Sequence, residues 1–181
     1  MPTSALPASR APLPACADPR QPHGHAATNT VTRLAAPDDF DAVNAFHDRC
    51  SPATCYARYH GARRSLRLSD FRRLTRPDCG LAWVSHPVTN PRHLIAAMNL
   101  VRTTDPTVAE LGLMIEDGWQ GRGLGTALVR HARASARVLG CRSITIMTSA
   151  DNTRMLRILR ALGTRIPPTT SSTIDITLAA E

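Results

Sequence analysis

Apolar and polar positions along residues 30–178 follow two different periods, one typical of strands and one typical of helices. Short β-branched and aliphatic runs predict strands at 30–34, 81–84, 94–100, 108–115, 143–147 and 174–178. Helical spacing predicts helices that begin near Pro37, Ser51, Ser69, Leu124 and Asn152. This interleaving predicts an α/β (α+β) fold, with helices on both faces of one mixed sheet.

Helix ends can be predicted from residues with capping or chain-breaking chemistry. Gly61 is a plausible stop for the second helix, and Ser69 or Asp70 is able to serve as the N-cap of the third. Asn152 suits the start of the last helix, and Gly163 suits its end.

The first 28 residues have a different composition from the rest of the chain. They hold six of the 14 prolines together with many Ala, Ser and His residues. Such a segment buries too little apolar surface to offset its ordering entropy. We therefore predict a disordered tail at residues 1–28 and one folded domain at residues 29–181.

The chain is strongly basic, and its basic residues are all of one type. Its 22 basic residues against 14 acidic ones give a formal charge of +8, and every basic residue is arginine. A concentration of arginines lies in one short stretch: Arg58, Arg63, Arg64, Arg67, Arg72, Arg73 and Arg76. Nucleic-acid binding is one reading, but aromatic residues are scarce and no nucleic-acid-binding motif is present. A solvated face, or a rim that meets phosphates or an acidic partner, is favoured over specific nucleic-acid binding.

Other classes of site are not supported by the sequence. The five cysteines are scattered without a Cys-x-x-Cys pair, which argues against a disulfide framework and a zinc site. His23 and His25 lack further ligands, so we predict no metal. No apolar run reaches the roughly 20 residues of a membrane helix. With no signal-peptide core either, the cytoplasm is the default location.

The most informative motif follows the strand at 108–115. A loop spelled Gln120-Gly121-Arg122-Gly123-Leu124-Gly125 leads directly into a helix. A helix start offers free backbone N–H groups and the positive end of the helix dipole, and glycines let a phosphate approach the backbone. A Walker A loop is excluded because the chain has no lysine. The glycine spacing and the position of Asp151 do not fit a dinucleotide fingerprint.

The remaining pattern, Gln/Arg-x-x-Gly-x-Gly/Ala, resembles the acetyl-CoA pyrophosphate loop of the GNAT superfamily of N-acetyltransferases. The resemblance covers about residue 30 to the end and implies a mixed, mostly antiparallel sheet of six to seven strands with about four helices. It also implies acetyl-CoA as co-substrate. The implied acetyl-CoA-binding residues are Leu113, Met114, Ile115, Gln120, Gly121, Arg122, Gly123, Leu124, Gly125, Thr126 and Asn152.

A looser resemblance concerns the stretch from Ala45 to Tyr59, with its His-x-Arg-x-Ser-Pro run before a Tyr/Arg/Tyr cluster. It is similar to the first-helix segment of domains related to bacterial protein-lysine acetyltransferases. The acceptor amine stays open between a protein lysine and a small-molecule amine, and a homodimer stays open as well.

Glu110 is the predicted general base. It occupies the place where the related lysine acetyltransferases carry their glutamate, and strand alternation groups it with Gly112 and Met114. Its apolar neighbours Val108, Leu111 and Leu113 predict partial desolvation, which suits a proton acceptor. Glu116 and Asp117 are the runners-up, at the turn into the loop.

The general acid is not evident from the sequence. The family often has a tyrosine seven residues after the helix asparagine, and this chain has Leu159 there. Ser149 and His131 are weak candidates. The missing tyrosine keeps a second hypothesis open, a non-catalytic domain that binds acetyl-CoA for regulation.

Overall fold

A computed structural model describes residues 18–63 and 65–180 of the chain. Its strands are β1 (His23–His25), β2 (Thr30–Leu34), β3 (Gly80–Pro87), β4 (Ala96–Arg102), β5 (Val108–Ile115), β6 (Ser143–Ser149) and β7 (Thr173–Ala179). Its α-helices are α1 (Phe40–Arg49), α2 (Pro52–Tyr59), α3 (Leu68–Leu74), α4 (Leu124–Val138) and α5 (Thr153–Ala161). None of the helices in this part of the chain is long and apolar enough to cross a membrane.

The seven strands form one sheet in which spatial order equals chain order. Every neighbouring pair is antiparallel except β5 and β6, which are parallel. Helix α4 makes the crossover between these two strands, because parallel neighbours cannot be joined by a tight turn. The predicted mixed, mostly antiparallel sheet is confirmed, and the five α-helices correspond to the five helix starts predicted from the sequence.

Two apolar clusters cover the two faces of the sheet. The larger cluster packs α4 and α5 against β3–β7 and contains Leu111, Leu128 and Leu159. The smaller cluster packs α1, α2 and α3 on the other face and contains Phe46, Phe71 and Met114. Strand β5 contributes to both clusters because its successive side chains point to opposite faces.

The parallel pair β5–β6 separates before either strand ends. Its register covers only Val108–Ser143, Ala109–Ile144 and Glu110–Thr145, although β5 continues to Ile115 and β6 to Ser149. On its other edge, β5 stays paired with β4 as far as Ile115. The separation therefore opens a cleft in the middle of the sheet.

The boundary predicted for the disordered tail is wrong within the described residues. His23–His25 pair with Thr30–Thr32, and a 3-10 turn follows at Ala26–Thr28. The indole N–H of Trp83 also donates to the Pro19 carbonyl at 3.0 Å. A sheet edge and a buried tryptophan fix this segment in spite of its composition. The rest of the predicted tail, residues 1–17, lies outside the described residues.

Two predicted helix ends also differ from the structure. Helix α2 ends at Tyr59. Its C-cap is His60, which adopts the left-handed conformation with φ 48°, so the helix stops before Gly61. Helix α3 begins two or three residues earlier than Ser69 or Asp70 would allow as N-cap, with Arg67 in that position. Asn152 caps α5 as predicted, because its side chain accepts from the Met155 N–H.

Candidate functional site

The cleft between β5 and β6 has a volume of about 810 Å³. We divide its wall into the loop half, residues 113–126 with the start of α5, and the α2 half, residues 53–58 with Glu110 and Gly112. Most of the predicted acetyl-CoA-binding residues line it: Leu113, Met114, Ile115, Gln120, Gly121, Gly123, Gly125, Thr126 and Asn152. Glu110 lines the cleft as well.

The free edge of β5 offers backbone donors to the cleft. The Glu116 N–H donates to the Ile95 carbonyl at 2.9 Å on the β4 side, and alternation gives Met114 the same direction. The N–H groups of Leu113 and Ile115 therefore point to the opposite edge, where pairing with β6 has ended. Of the three residues at 113–115 that the resemblance implies for acetyl-CoA binding, Leu113 and Ile115 can offer a backbone N–H to the cleft, whereas the Met114 N–H faces β4.

The glycine loop has the conformation that its sequence requires. Gly121 and Gly123 have φ values of 73° and 89°, a region where a side chain is strained. Gly123 is the N-cap of α4 and no side chain caps this helix. The first N–H groups of α4 thus lie beside the cleft, available to an anion.

The other members of the loop have packing roles. A Cβ atom on Gly125 would lie 2.7 Å from Cδ1 of Ile158, so this glycine permits close contact between α4 and α5. Leu124 is buried in the core. The Arg122 guanidinium lies over the Trp119 ring, 5.4 Å from its centre. Leu124 and Arg122 are not among the residues that line the cleft, and their role in binding the cofactor stays a prediction.

Gln120 and Asp117 join the two halves of the cleft. Gln120 Nε2 donates to the Ile115 carbonyl at 2.7 Å and to Thr54 Oγ1 at 3.1 Å. The Asp117 carboxylate accepts from the Ser51 backbone and hydroxyl, each at 2.8 Å, and from Thr54 at 2.9 Å. Partial burial alone would raise the pKa of Asp117, but these hydrogen bonds outweigh it and hold the pKa below its usual value.

Glu116 and Asp117, the runners-up for the general base, belong to the loop segment but are not among the residues that line the cleft. The Asp117 carboxylate accepts hydrogen bonds from Ser51 and Thr54 at the start of α2. Glu116 forms an ion pair with Arg49 at 3.1 Å and lies 3.6 Å from His93. Both carboxylates thus stabilise the turn that leads into the glycine loop through contacts with neighbouring elements.

Glu110 is exposed at the point where β5 and β6 separate. The expectation that apolar neighbours would desolvate its carboxylate is wrong. Strand alternation sends Leu111 and Leu113 to the face covered by α4 and α5, whereas Glu110 shares the α2 face with Gly112 and Met114. Glu110 is therefore an accessible carboxylate in the wall of the cleft.

Arg58 is the residue of the cleft that the sequence interpretation missed. Its guanidinium occupies the space that a Cβ atom of Gly112 would fill, and its Nη2 donates to Asn99 Oδ1 at 2.7 Å. It also lies 5.1 Å from the centre of the Tyr59 ring. Burial lowers the pKa of Arg58, partly offset by Tyr59 and Glu110. Two features of the sequence could have indicated its position: its place in the Tyr/Arg/Tyr cluster and the glycine at 112.

The weak candidates for the general acid have other surroundings. The Ser149 hydroxyl lines the cleft but donates to Asp151 and to the Ser172 carbonyl. His131 lies outside the cleft wall, with its ring 5.1 Å from those of Trp83 and His23. Burial, followed by the charges of His23 and His25, lowers the pKa of His131 to about 4.

Two more predicted positions have clear packing roles. Leu159, at the place of the family's tyrosine, is fully buried in the larger core cluster. Asn152 uses its oxygen to cap α5 and its Nδ2 to donate to Thr148 at 3.0 Å. The asparagine lines the cleft through a side chain that is already engaged in local hydrogen bonds.

The arginine-rich stretch does not form one uniform basic face. Arg63 pairs with Asp70 at 3.1 Å, Arg76 pairs with Asp78, and Arg58 enters the cleft. Arg64 lies outside the described residues. The described part of the chain also contains no group of three His, Cys, Asp or Glu residues placed to hold a metal ion.

The family comparison agrees with this geometry. The profile described as "Acetyltransferase (GNAT) family" matches residues 41–164, which include α2–α5, all but the first residue of α1, the glycine loop and Glu110.

Three solved structures have the same fold at low sequence identity. The GNAT domain of PAT from S. lividans is 21% identical with a TM-score of 0.73, covering 83% of this chain and 90% of that one. The yncA acetyltransferase structure from Salmonella typhimurium, with its cofactor acetyl-CoA, is 15% identical with a TM-score of 0.68 and coverages of 84% and 95%. Spermidine N-acetyltransferase from Vibrio cholerae, with CoA and spermine, is 12% identical with a TM-score of 0.65 and coverages of 84% and 96%.

Proposed function

The chain belongs to the GNAT family of acetyltransferases, and on that basis we propose that it transfers an acetyl group from acetyl-CoA to a primary amine in the β5–β6 cleft. Glu110 is the proposed general base. The observation that carries the proposal is the accessible Glu110 carboxylate at the start of the strand separation, with an open helix N-terminus on the other wall.

The loop half is suited to the acetyl-CoA donor. Gly121, Gly123 and the uncapped first turn of α4 offer backbone N–H groups to a pyrophosphate. The cleft-facing N–H groups of Leu113 and Ile115 suit the pantetheine arm and the thioester carbonyl, whose developing negative charge they would stabilise. The structures of yncA with acetyl-CoA and of the Vibrio cholerae enzyme with CoA support this choice of donor.

The α2 half is suited to the amine. An alkyl ammonium group has a pKa near about 10.4 and must lose a proton before it can attack. Glu110, directly or through a water molecule, accepts that proton. The neutral nitrogen then forms a bond with the thioester carbon, the carbon–sulfur bond breaks, and CoA leaves as the thiolate. Solvent protonates the thiolate, because no tyrosine occupies position 159.

The experiment that tests this function measures CoA thiol release with acetyl-CoA and a panel of amines. The panel contains lysine peptides, free amino acids, their amides and polyamines, and mass spectrometry identifies the N-acetyl product. We expect amine-dependent thiol release and a product heavier by one acetyl group. Tight acetyl-CoA binding with no thiol release on any amine would overturn the enzyme proposal.

That second result would favour a regulatory domain that binds acetyl-CoA without turning it over. One observation favours this candidate: Leu159 fills the family's tyrosine position with a buried aliphatic side chain. One titration with acetyl-CoA and an amine distinguishes the two functions. Both predict that acetyl-CoA binds, and only the enzyme predicts release of the CoA thiol.

A further inference from the structure

Arg58 is a half-buried cation in the cleft wall on which the Glu110 charge acts only from a distance, without an ion-pair contact. The ion pairs among the described residues involve Arg33, Arg49, Arg63, Arg76 and His93, and none involves Arg58. Its hydrogen bond goes to the neutral side chain of Asn99. A desolvated charge without a counter-ion is costly, and a guanidinium has five N–H donors in a fork that matches a carboxylate.

The sequence of β5 is adapted to this arginine. Gly112 is the residue over which the guanidinium lies, and any side chain there would displace it. Asn99, directly across from Gly112 in the β4–β5 register, holds the guanidinium from its other side. Arg58 therefore has a fixed position on the α2 face of β5, with its remaining donors at the cleft.

Glu110 lies two residues before Gly112 on that same face. Equivalent positions two residues apart in a strand are separated by about 7 Å. The α2 half of the cleft thus presents one carboxylate and one guanidinium at about this spacing, without a direct ion pair between them. Such a gap accommodates the amine and the carboxylate of one small zwitterion, each with a charge-assisted hydrogen bond of about 2.8 Å.

We infer that the acceptor is a free α-amino acid whose carboxylate binds Arg58 and whose amine faces Glu110. The inference rests on the proposed N-acetyltransferase function and names the substrate class of that same site. The reaction is unchanged: the amine gives its proton to Glu110 and bonds to the acetyl carbon as the thiolate leaves. The carboxylate stays intact and aligns the nitrogen with the thioester.

The same charge arrangement acts against polyamines. A second ammonium group beside the acetylated one would meet the Arg58 guanidinium at short range in a partly desolvated cleft, where like charges repel strongly. Spermine and spermidine are therefore expected to be poorer acceptors than an amino acid.

The first test compares acceptors that differ only in the carboxylate. L-Methionine, L-methioninamide and 3-(methylsulfanyl)propylamine share one side chain, and the acid–amide comparison is repeated for the other common amino acids. Calorimetry on the CoA-loaded protein measures binding, and thiol release measures turnover. We expect at least one amino acid to exceed its amide by about 10- to 100-fold in both affinity and kcat/KM, as for a hydrogen-bonded ion pair.

The second test removes the guanidinium. Arg58→Gln should abolish the acid-over-amide preference, and Arg58→Lys, which keeps the charge without the fork, should retain part of it. Arg63→Gln is the matched control, because Arg63 lies over the same Tyr59 ring but outside the cleft wall; its preference ratio should equal that of the unchanged protein. Thermal melting verifies that each variant is folded.

The outcomes separate the inference from the function on which it rests. Turnover of amides, peptides or polyamines without any preference for carboxylates would overturn the inference and leave the acetyltransferase function intact. Arg58-dependent binding of amino acids without thiol release would support the carboxylate site and overturn the enzyme. A preference that survives Arg58→Gln would also overturn the inference, because the carboxylate would then bind elsewhere.

Discussion

The two halves of the cleft are built in different ways. The loop half is mostly local: residues 113–126 form the strand edge, the glycine turn and the start of α4 in one continuous stretch, and only the start of α5 is added from elsewhere. The α2 half is assembled from separate elements, with Arg58 on α2 and Glu110 and Gly112 on β5, and it depends on a third, because Asn99 on β4 holds Arg58 by a hydrogen bond. A local motif suits a donor that is the same for a whole family, and an assembled surface suits an acceptor that differs among its members.

The sharpest way to test this division is to neutralise Glu110. Glu110→Gln keeps the shape of the side chain and removes the proton acceptor, so turnover should fall by about 10²- to 10⁴-fold. Affinity for acetyl-CoA, which we assign to the loop half, should be unchanged. Calorimetry with CoA and steady-state thiol release measure the two quantities.

Asp175 offers the matched control. It is an exposed strand carboxylate on β7 that lies outside the cleft wall. Asp175→Asn should leave turnover intact. Full activity in Glu110→Gln would remove Glu110 from the mechanism and with it the functional meaning of the α2 half.

The loop half is tested by a substitution at Gly123. Its φ of 89° is strained for any side chain, and most strained for a β-branched one, whose Cβ would also stand at the mouth of the α4 N-terminus. Gly123→Val should raise the Kd of acetyl-CoA by about 10- to 100-fold, as expected for the loss of one or two charge-assisted hydrogen bonds.

Its control is Gly118→Ala, in the 3-10 turn just before the loop, where a Cβ atom meets no neighbour and φ is ordinary. The ratio of amino-acid to amide turnover should be the same in both variants. A changed ratio in Gly123→Val would show that the halves are not separable.

The comparison also explains what could be predicted from the sequence. The loop half follows from contiguous residues, since Gly121 and Gly123 need positive φ and Asn152 needs only its own helix as a partner. The antiparallel pairs β1–β2, β3–β4 and β4–β5 follow from short connections, whereas β2–β3 and β6–β7 are joined through helices. Arg58 could not be predicted, because its position depends on how α2 packs on β5. The desolvation expected for Glu110 failed for the same reason: adjacent residues in a strand face opposite sides.

A third prediction concerns the connection between the halves. Asp117→Asn replaces a carboxylate that accepts three hydrogen bonds from the start of α2. The loss should destabilise the protein by about 1–2 kcal/mol, after allowance for the exposure of the group. Because α2 carries Arg58, acceptor KM should rise several-fold with little change in acetyl-CoA affinity. Chemical denaturation and acceptor kinetics measure both effects.

The sign of the pH effect follows from the lowered pKa of Asp117. Its stabilisation is complete above the unfolded carboxyl pKa near about 4 and is lost as pH falls through the lower folded value. Asp117→Asn should therefore lose part of this acid dependence. An unchanged acceptor KM would mean that α2 is held without Asp117.

The last prediction concerns a region outside both halves and should leave turnover unchanged. His131 is buried against Trp83 and His23, with a pKa of about 4 in the folded protein. In the unfolded chain its pKa is near about 6.5, so between these values only the unfolded state binds the proton. Stability should be complete above about pH 6.5 and should fall by up to about 3 kcal/mol as pH approaches 4.

His131→Phe keeps a ring against Trp83 and removes the proton, so its stability should vary less over that range. A smaller dependence should remain from His25, whose pKa burial also lowers. Denaturation curves at pH 7, 5.5 and 4.5, with thiol release at pH 7 as the control, measure the effect. An identical pH slope in the variant would mean that His131 takes up its proton in the folded state. The strand His23–His25 would then have to move away from it, since a charged imidazole cannot stay in that apolar contact.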